Sequence, residues 1–274
     1  MKPIWIIEKD IFQENIEEMI KSVSDQGMDH KIVSYVPFEA GEYKNLLPEN
    51  SCAIVYGSLQ LARCLQKTTN WIPGVYCDLP KYECSYYYTK LGSFLLNSPY
   101  VMLPFGELVR QKEFLFEALG NSDCLFIRPS SGFKLFTGKV VEKENYEREI
   151  EKFSFYDVEP EKIVVVATPQ NIKAEWRLVV VEGKVIASSQ YQLHRKHITK
   201  EGCPDVVKQY AEEIAKVWEP DPAWTVDICQ LDSNEIRLLE IGCFSCAGLY
   251  DCNKSEIVSV VSNLAIKHWK DVNE

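Results

Sequence analysis

Apolar positions along this chain recur with two periods. Ile4 to Ile7 is a short apolar run that reads as a strand, and Phe12-x-x-x-Ile16-x-x-Met19-Ile20-x-x-Val23 carries helical spacing. Lys31 to Val36 and Cys52-Ala-Ile-Val-Tyr56 read as two more strands. The second of these runs through Gly57-Ser58 into Leu59-Gln-Leu-Ala-Arg-Cys-Leu65, where helical spacing resumes. Strand, small-residue turn and helix make a parallel-sheet unit whose turn faces ligands. Such a turn is equally the ordinary way to start a helix, and both readings of Gly57-Ser58 stay open. Trp71 to Tyr100 is aromatic and turn-rich, with Tyr86-Tyr-Tyr88, and reads as a connection holding a domain boundary. Residues 1–97 are therefore expected to form a small α/β domain.

Further on, the spacing predicts a helix over Glu107 to Leu119, with Leu108, Phe114, Leu115, Ala118 and Leu119 sharing a face. Leu125 to Ile127 is a strand that ends on Arg128-Pro129, and Lys139-Val-Val141 starts its return. Asn145 to Phe153 reads as a charged helix and Ile163-Val-Val-Val-Ala167 as a buried strand. In the strand Ala174 to Val181, Glu175 and Arg177 point to one side. Glu182-Gly183 turns the chain into Lys184 to Tyr191, where Ser189 and Tyr191 share a face. Asp205 to Trp218 is a predicted helix with Val206, Tyr210, Ile214 and Val217 on one side. Trp224 to Cys229 and Ile236 to Ile241 are strands around a turn at 231–235, and Lys254 to Trp269 is a closing helix.

Composition narrows the function. The chain has 274 residues and a net charge of −10. An acidic surface argues against general binding to nucleic acid or anionic membrane. No apolar run approaches the roughly 18 residues of a membrane span, and the N-terminus reads as a strand and turn rather than a signal peptide. The ten cysteines lie scattered through apolar runs; Cys52, Cys124 and Cys229 read as small buried hydrophobes. Cys243-x-x-Cys246, followed by Cys252, is the one metal-like spacing, but no second pair completes it. Reduced thiols without zinc, in a cytoplasmic protein, are the expectation.

Two patterns carry chemistry. Arg128 at a strand end, Ser130-Ser131-Gly132, Lys134 within the loop and Gly138 closing it suit a polyphosphate, since Arg offers a planar fork and Lys a point charge. The same residues also describe a hairpin with charged tips. Asp227 and Glu240 stand alone in otherwise apolar neighbouring strands, which is costly unless each is paired or metal-bound. Antiparallel pairing brings them close enough to share Mg²⁺. Pairing with Arg177 or Arg195 is the other reading.

The order of these elements resembles the ATP-grasp fold over roughly residues 100–270. Arg128-Pro129, Lys134, Glu175-Trp-Arg177, Ser188-Ser-Gln-Tyr191 and Ser245-Cys-Ala-Gly-Leu-Tyr250 resemble its R2K clade. The resemblance implies a mixed α/β (α+β) class: a pre-ATP-grasp domain at 1–97, then an ATP-grasp domain at 98–274 with nucleotide between its two subdomains. It implies ATP and Mg²⁺ as cofactors. Arg128, Lys134, Glu175 and Arg177 would bind nucleotide, with Val165 and Ala167 in the stretch that meets adenine. Asp227 and Glu240 would hold metal, and Ser189, Tyr191 and Arg195 would line the substrate cleft. Arg177 and Lys134 would be catalytic. The implied reaction is a carboxylate–amine (or thiol) ligation through an acyl phosphate, with a small-molecule or peptide substrate. A degenerate ATP-binding or sensing protein and a phosphotransferase acting on a hydroxyl are the alternatives. Self-association as a homodimer stays open. Two departures stand out. The usual Glu-x-Asn metal pair reads Glu240-Ile-Gly242, and a second phosphate-binding Lys is matched only by Arg110 or Lys112 as candidates.

Overall fold

The computed structural model describes residues 2–37, 42–132, 135–154 and 158–274. By contacts the chain divides into two compact units, one of residues 1–78, 173–228 and 240–274, the other of 79–172 and 229–239. These do not follow the 1–97 and 98–274 division, because the first unit is rejoined by the chain at Lys173 and keeps the C-terminal helix.

In the first unit, β1 (Ile4–Glu8), β2 (His30–Val33), β3 (Cys52–Tyr56) and β4 (Ile72–Gly74) make a sheet in the order β2-β1-β3-β4, its pairings all parallel. Every side chain of β3 is buried, as a parallel strand covered on both faces must be. Two helices of this unit, α1 (Ile16–Asp25) and α2 (Leu59–Thr68), follow β1 and β3. Ser58 is the N-cap of α2, accepting the Leu61 N–H at 3.2 Å, and donates its own N–H to the Glu8 carboxylate at 2.6 Å. Gly57-Ser58 is thus a helix start in this structure.

A second sheet, ordered β11-β10-β9-β12-β13, is built from β9 (Ile172–Val181), β10 (Lys184–Leu193), β11 (Lys196–Glu201), β12 (Ala223–Leu231) and β13 (Ile236–Cys243). Glu182 and Gly183, at φ 44° and 76°, make the tight turn between β9 and β10. His194 and Arg195 repeat it at φ 48° and 63° before β11, a strand the apolar pattern gave no hint of. Its residues are mostly exposed and polar, so they carry no period-2 signal. The helix α7 (Lys254–Asn273) packs against α1, β3, β4 and β10. Its Ile257, Val258, Val261, Leu264 and Ala265 join Trp5, Ile54, Val179 and Phe244 in one buried cluster.

The second unit holds an antiparallel sheet, β5-β8-β6-β7, of β5 (Tyr100–Pro104), β6 (Cys124–Pro129), β7 (Lys139–Glu142) and β8 (Ile163–Ala167). The helices α3 (Cys84–Leu91), α4 (Lys112–Leu119) and α5 (Tyr146–Ser154) accompany it. The aromatic stretch read as a connection contains α3, whose Tyr87 and Tyr88 are buried. Two helical faces differ from their expected residues. α4 begins at Lys112, and Leu115, Phe116 and Leu119 face the core while Phe114 is exposed. In α6 (Asp205–Val217), Val207, Ala211, Ile214 and Ala215 are buried, and Val206 and Val217 are exposed. Small alanines inside the face, which a count of large apolar residues passes over, explain the second shift.

Candidate functional site

The alternation of β9 buries Ala174, Trp176 and Leu178 and sends Glu175 and Arg177 to the opposite side. β12 lies beside β9 and delivers Asp227. Arg177 and Asp227 meet as a two-pronged pair: Nε donates to Oδ1 at 2.8 Å and Nη2 to Oδ2 at 2.7 Å. Nη1 donates to the Gly248 carbonyl at 2.8 Å, and Nη2 lies 3.9 Å from Glu240 Oε1. One guanidinium therefore gathers β12, β13 and the loop after β13.

Tyr191 enters this group through an irregularity in β10. Gln190 pairs with Trp176 and Gln192 with Glu175, so Tyr191 is the extra residue of a bulge. Its hydroxyl donates to Asp227 Oδ2 at 3.2 Å, and its ring stacks on Tyr250 with centroids 4.8 Å apart. The Arg177 guanidinium lies 5.2 Å from the Tyr250 ring centre and 6.0 Å from that of Tyr191, a cation–π arrangement with both. Tyr250 adopts φ 46°, an uncommon conformation for an aromatic residue. Lys254, itself buried, holds it there by donating to the Tyr250 carbonyl and, at 2.8 Å, to that of Cys252.

Burial pushes the Asp227 carboxyl up, with the Arg177 charge opposing the shift. Burial alone works against the Arg177 charge, yet Asp227 beside it keeps the guanidinium's pKa above its ordinary value. The pair is best described as ionised on both sides, because only that state uses both prongs of the fork. Burial likewise raises Glu175, with Asp227 and Glu240 adding to the effect, and its Oε1 accepts from the Gln192 amide.

Two hard carboxylates on one face suit a Mg²⁺ ion, which prefers oxygen ligands. An ionised carboxylate has about four acceptor positions; Arg177 uses one on each Asp227 oxygen and Tyr191 another on Oδ2. Asp227 thus retains room for a single further contact, and Glu240, partly exposed, stands beside the same guanidinium. Gly242 supplies no side-chain oxygen. Thr225 Oγ1 donates to the Gly242 carbonyl at 3.1 Å, and a Cβ built at Gly242 would stand only 2.7 Å from that hydroxyl. The buried Thr225 fills the space an Asn would need. The set accordingly fits a hard cation with two carboxylates and water completing the shell.

Other expected residues are placed as follows. Ser189 is fully buried; its hydroxyl bonds the Lys200 carbonyl at 3.3 Å and accepts the Asp251 N–H at 3.2 Å, tying β10 to the loop that bears Tyr250. Arg195 is exposed in the β10–β11 turn. In the second unit, Arg128 is half-buried on β6 and stands in register opposite Val165 of β8, and Ala167 pairs with Phe126. Val165 and Ala167 are both fully buried. Lys134 lies outside the described residues. Ser130, read as part of a loop suited to polyphosphate, is anchored: its N–H donates to the Ile163 carbonyl, while its carbonyl and hydroxyl accept the N–H groups of Cys84 and Ser85 at the start of α3. Gly138 passes over Arg128, where an added Cβ would sit 3.1 Å from the Arg128 Cβ and 2.9 Å from Phe126. Arg110 pairs with Glu107, and Lys112 pairs with Glu147 at 2.8 Å.

Sequence reasoning missed Thr225 and Lys254, and named Gly248 only within Ser245-Cys-Ala-Gly-Leu-Tyr250; a strand hydroxyl and a lysine at a helix start carry no distinguishing signal.

The fold has counterparts among known structures. The structure of D-cycloserine synthetase DcsG superposes with a TM-score of 0.66 at 10% identity, covering 96% of this chain and 99% of that one. D-alanine–D-alanine ligase from Bacillus anthracis, complexed with ATP, does so at 0.65 and 12% identity, with 99% of each chain covered. The ATP-grasp ligase PsnB, complexed with minimal precursor, Mg and ADP, gives 0.58 at 12% identity over 97% and 98%. No curated protein matches the sequence. The mixed α/β fold is that of the ATP-grasp ligases. Residues 110–260, more than half of the chain, match the ATP-grasp domain, R2K clade family 2, and the chain belongs to that family.

Proposed function

We propose that this protein is an ATP-dependent carboxylate–amine (or thiol) ligase that activates its carboxylate as an acyl phosphate. The observation that carries the reading is the Arg177–Asp227–Glu240 group, an oriented cation beside two hard carboxylates, in a chain of the ATP-grasp family. In phosphoryl transfer the protein's work is mainly positioning and charge neutralisation. Arg128 and Lys134 would clamp phosphates, and Val165 and Ala167 belong to the backbone that would meet adenine. Arg177, held by Asp227, Gly248 and the two tyrosine rings, would face the transferring phosphoryl group with the remainder of its fork. Asp227 and Glu240 would hold Mg²⁺, which supplies further neutralisation of phosphate charge. Tyr191 steadies Asp227 from the bulge of β10, and Glu175 on β9 would contact nucleotide; Tyr191 and Arg195 are the proposed substrate contacts, and Ser189 would act by holding the loop that bears Tyr250. Residues 1–97 correspond to the pre-ATP-grasp portion in this reading.

The step balances simply. A carboxylate oxygen attacks the γ-phosphorus of ATP, ADP leaves, and an amine or thiol then displaces phosphate from the acyl carbon while losing its proton. The PsnB structure complexed with precursor peptide PsnA2 supports a peptide as one substrate class, alongside a small amino acid. One observation favours a second reading. Gly242 backed by Thr225 leaves the metal shell a side chain short, which suits a nucleotide-binding protein without turnover. Calorimetry with ATP and Mg²⁺ tests the shared core: affinity in the micromolar range, about −8 kcal/mol, is expected, and absence of binding removes both readings.

A further inference from the structure

Three thiols that are far apart in sequence meet in the first unit. The Sγ atoms of Cys77, Cys243 and Cys246 all lie within 4.8 Å of one another. Cys243 ends β13, Cys246 closes the single helical turn that follows, and Cys77 comes from the segment after β4. Sequence spacing pointed to Cys252 as the third member and found the set incomplete. The fold supplies Cys77 instead.

The backbone carrying these sulfurs is fixed at each point. Tyr76 donates its N–H to Ser245 Oγ at 3.0 Å and accepts the Ser245 N–H at 3.4 Å. The Ser245 carbonyl accepts from Gly57 N–H at 2.8 Å, and Ser245 is fully buried. The Gln66 amide donates to the Cys77 carbonyl at 2.8 Å, and the Asp78 N–H donates to Asp221 Oδ2 at 3.0 Å. Phe244, between the two cysteines of the turn, is fully buried against Trp5, Tyr56 and Tyr76. Cys77 is buried and Cys246 is half-buried. Such preorganisation is more than packing of three small hydrophobes requires.

We infer that Cys77, Cys243 and Cys246 form a zinc site, three thiolates closing three corners of a tetrahedron with water at the fourth. Zinc–sulfur bonds of about 2.3 Å set the sulfurs about 3.8 Å apart, so the present separation needs only a small contraction. Thiolate sulfur selects a soft or borderline cation over Mg²⁺ or Ca²⁺, which keeps this site distinct from the Asp227–Glu240 pair. The thiols of Cys246 and then Cys77, directed at Cys243, hold its pKa well below the ordinary value, while the same contacts push theirs up. Zn²⁺ bound here would be held by three thiolates, whose protons leave to solvent on binding. The site would staple the end of β13, three residues beyond Glu240, to the segment following β4.

The test is a Zn²⁺ titration of the full chain, first reduced with a phosphine and stripped with a chelator, against a chromophoric competitor, with metal content measured by elemental mass spectrometry. One zinc per chain is expected. Cys77→Ser and Cys246→Ser should each weaken it by at least about 100-fold, and Cys124→Ser, outside the cluster, should leave it unchanged. Cys246 is half-buried, so its variant keeps the test open should Cys77→Ser fail to fold, and circular dichroism checks both. No zinc taken up by the reduced wild type would overturn the inference. So would wild-type zinc affinity in both variants, or a Cys243–Cys246 disulfide that survives the phosphine treatment.

Discussion

At the scale of single residues, Arg177 and Asp227 decide most of the site's behaviour. Asp227, the middle residue of β12, reads from sequence as a metal ligand or the partner of an arginine. The structure puts Asp227 at 2% exposure, locked to Arg177 by both oxygens. Removing one partner leaves a buried charge, so Asp227→Asn should lose about 3–5 kcal/mol of stability as well as turnover. The double replacement Arg177→Met with Asp227→Leu should regain most of that stability and none of the activity. Denaturant unfolding of the three proteins checks this; an Asp227→Asn protein as stable as the wild type would mean the pair is not formed. Gly242 is the second residue of consequence. Gly242→Asn alone should destabilise by about 1–3 kcal/mol through overpacking against Thr225. With Thr225→Ala added, the Asn becomes tolerable and Mg²⁺ dependence should tighten. Thermal unfolding of the single and double variants separates the outcomes, and an unchanged midpoint for Gly242→Asn would contradict the crowding.

At the scale of elements, the strands were legible wherever burial made them continuously apolar or left one carboxylate among apolar residues. Cys52 to Tyr56 and Ile163 to Ala167 were read with the bounds they have. β11 was not, because Lys196-His-Ile-Thr-Lys-Glu201 stays largely in solvent. The bulge at Tyr191 was equally invisible, since an extra residue leaves composition untouched and alters only register. Arg128 and Lys139 flank the same loop, Lys139 standing opposite Ile127, and sequence marks only Arg128 as the strand-end cation facing that loop. In the structure Lys139 is committed to Glu149, which also accepts Lys152 at 2.6 Å. Arg128→Ala should therefore weaken ATP binding more than Lys139→Ala, by calorimetry, and equal losses would misplace the phosphate contact. The hydrogen bond from Lys139, then that from Lys152, lowers the Glu149 carboxyl from near 4.5 to about 2. A lowered folded-state pKa gives stability that is full above the unfolded value and lost as pH falls toward the folded one. Glu149→Gln should therefore trail the wild type above about pH 4.5, and the gap should close toward pH 2. Urea unfolding across that range is the check, and a gap constant with pH would contradict it.

At the scale of the whole molecule, element order carried the family, and the residues that meet across sequence did not announce themselves. Cys77 is 166 positions before Cys243, and Thr225 sits opposite Gly242 only because β12 and β13 are neighbours. The discontinuous first unit, rejoined at Lys173, has no marker in composition either. What remains is whether this assembly ligates. The most direct measurement is ADP release by the wild-type protein with Mg²⁺ and ATP, screened against carboxylates and amines supplied separately and together. The account predicts ADP only when both a carboxylate and an amine (or thiol) are present, and its loss in Asp227→Asn and Glu240→Gln. ATP binding with no ADP from any pairing, or ADP released with an alcohol alone, would contradict it.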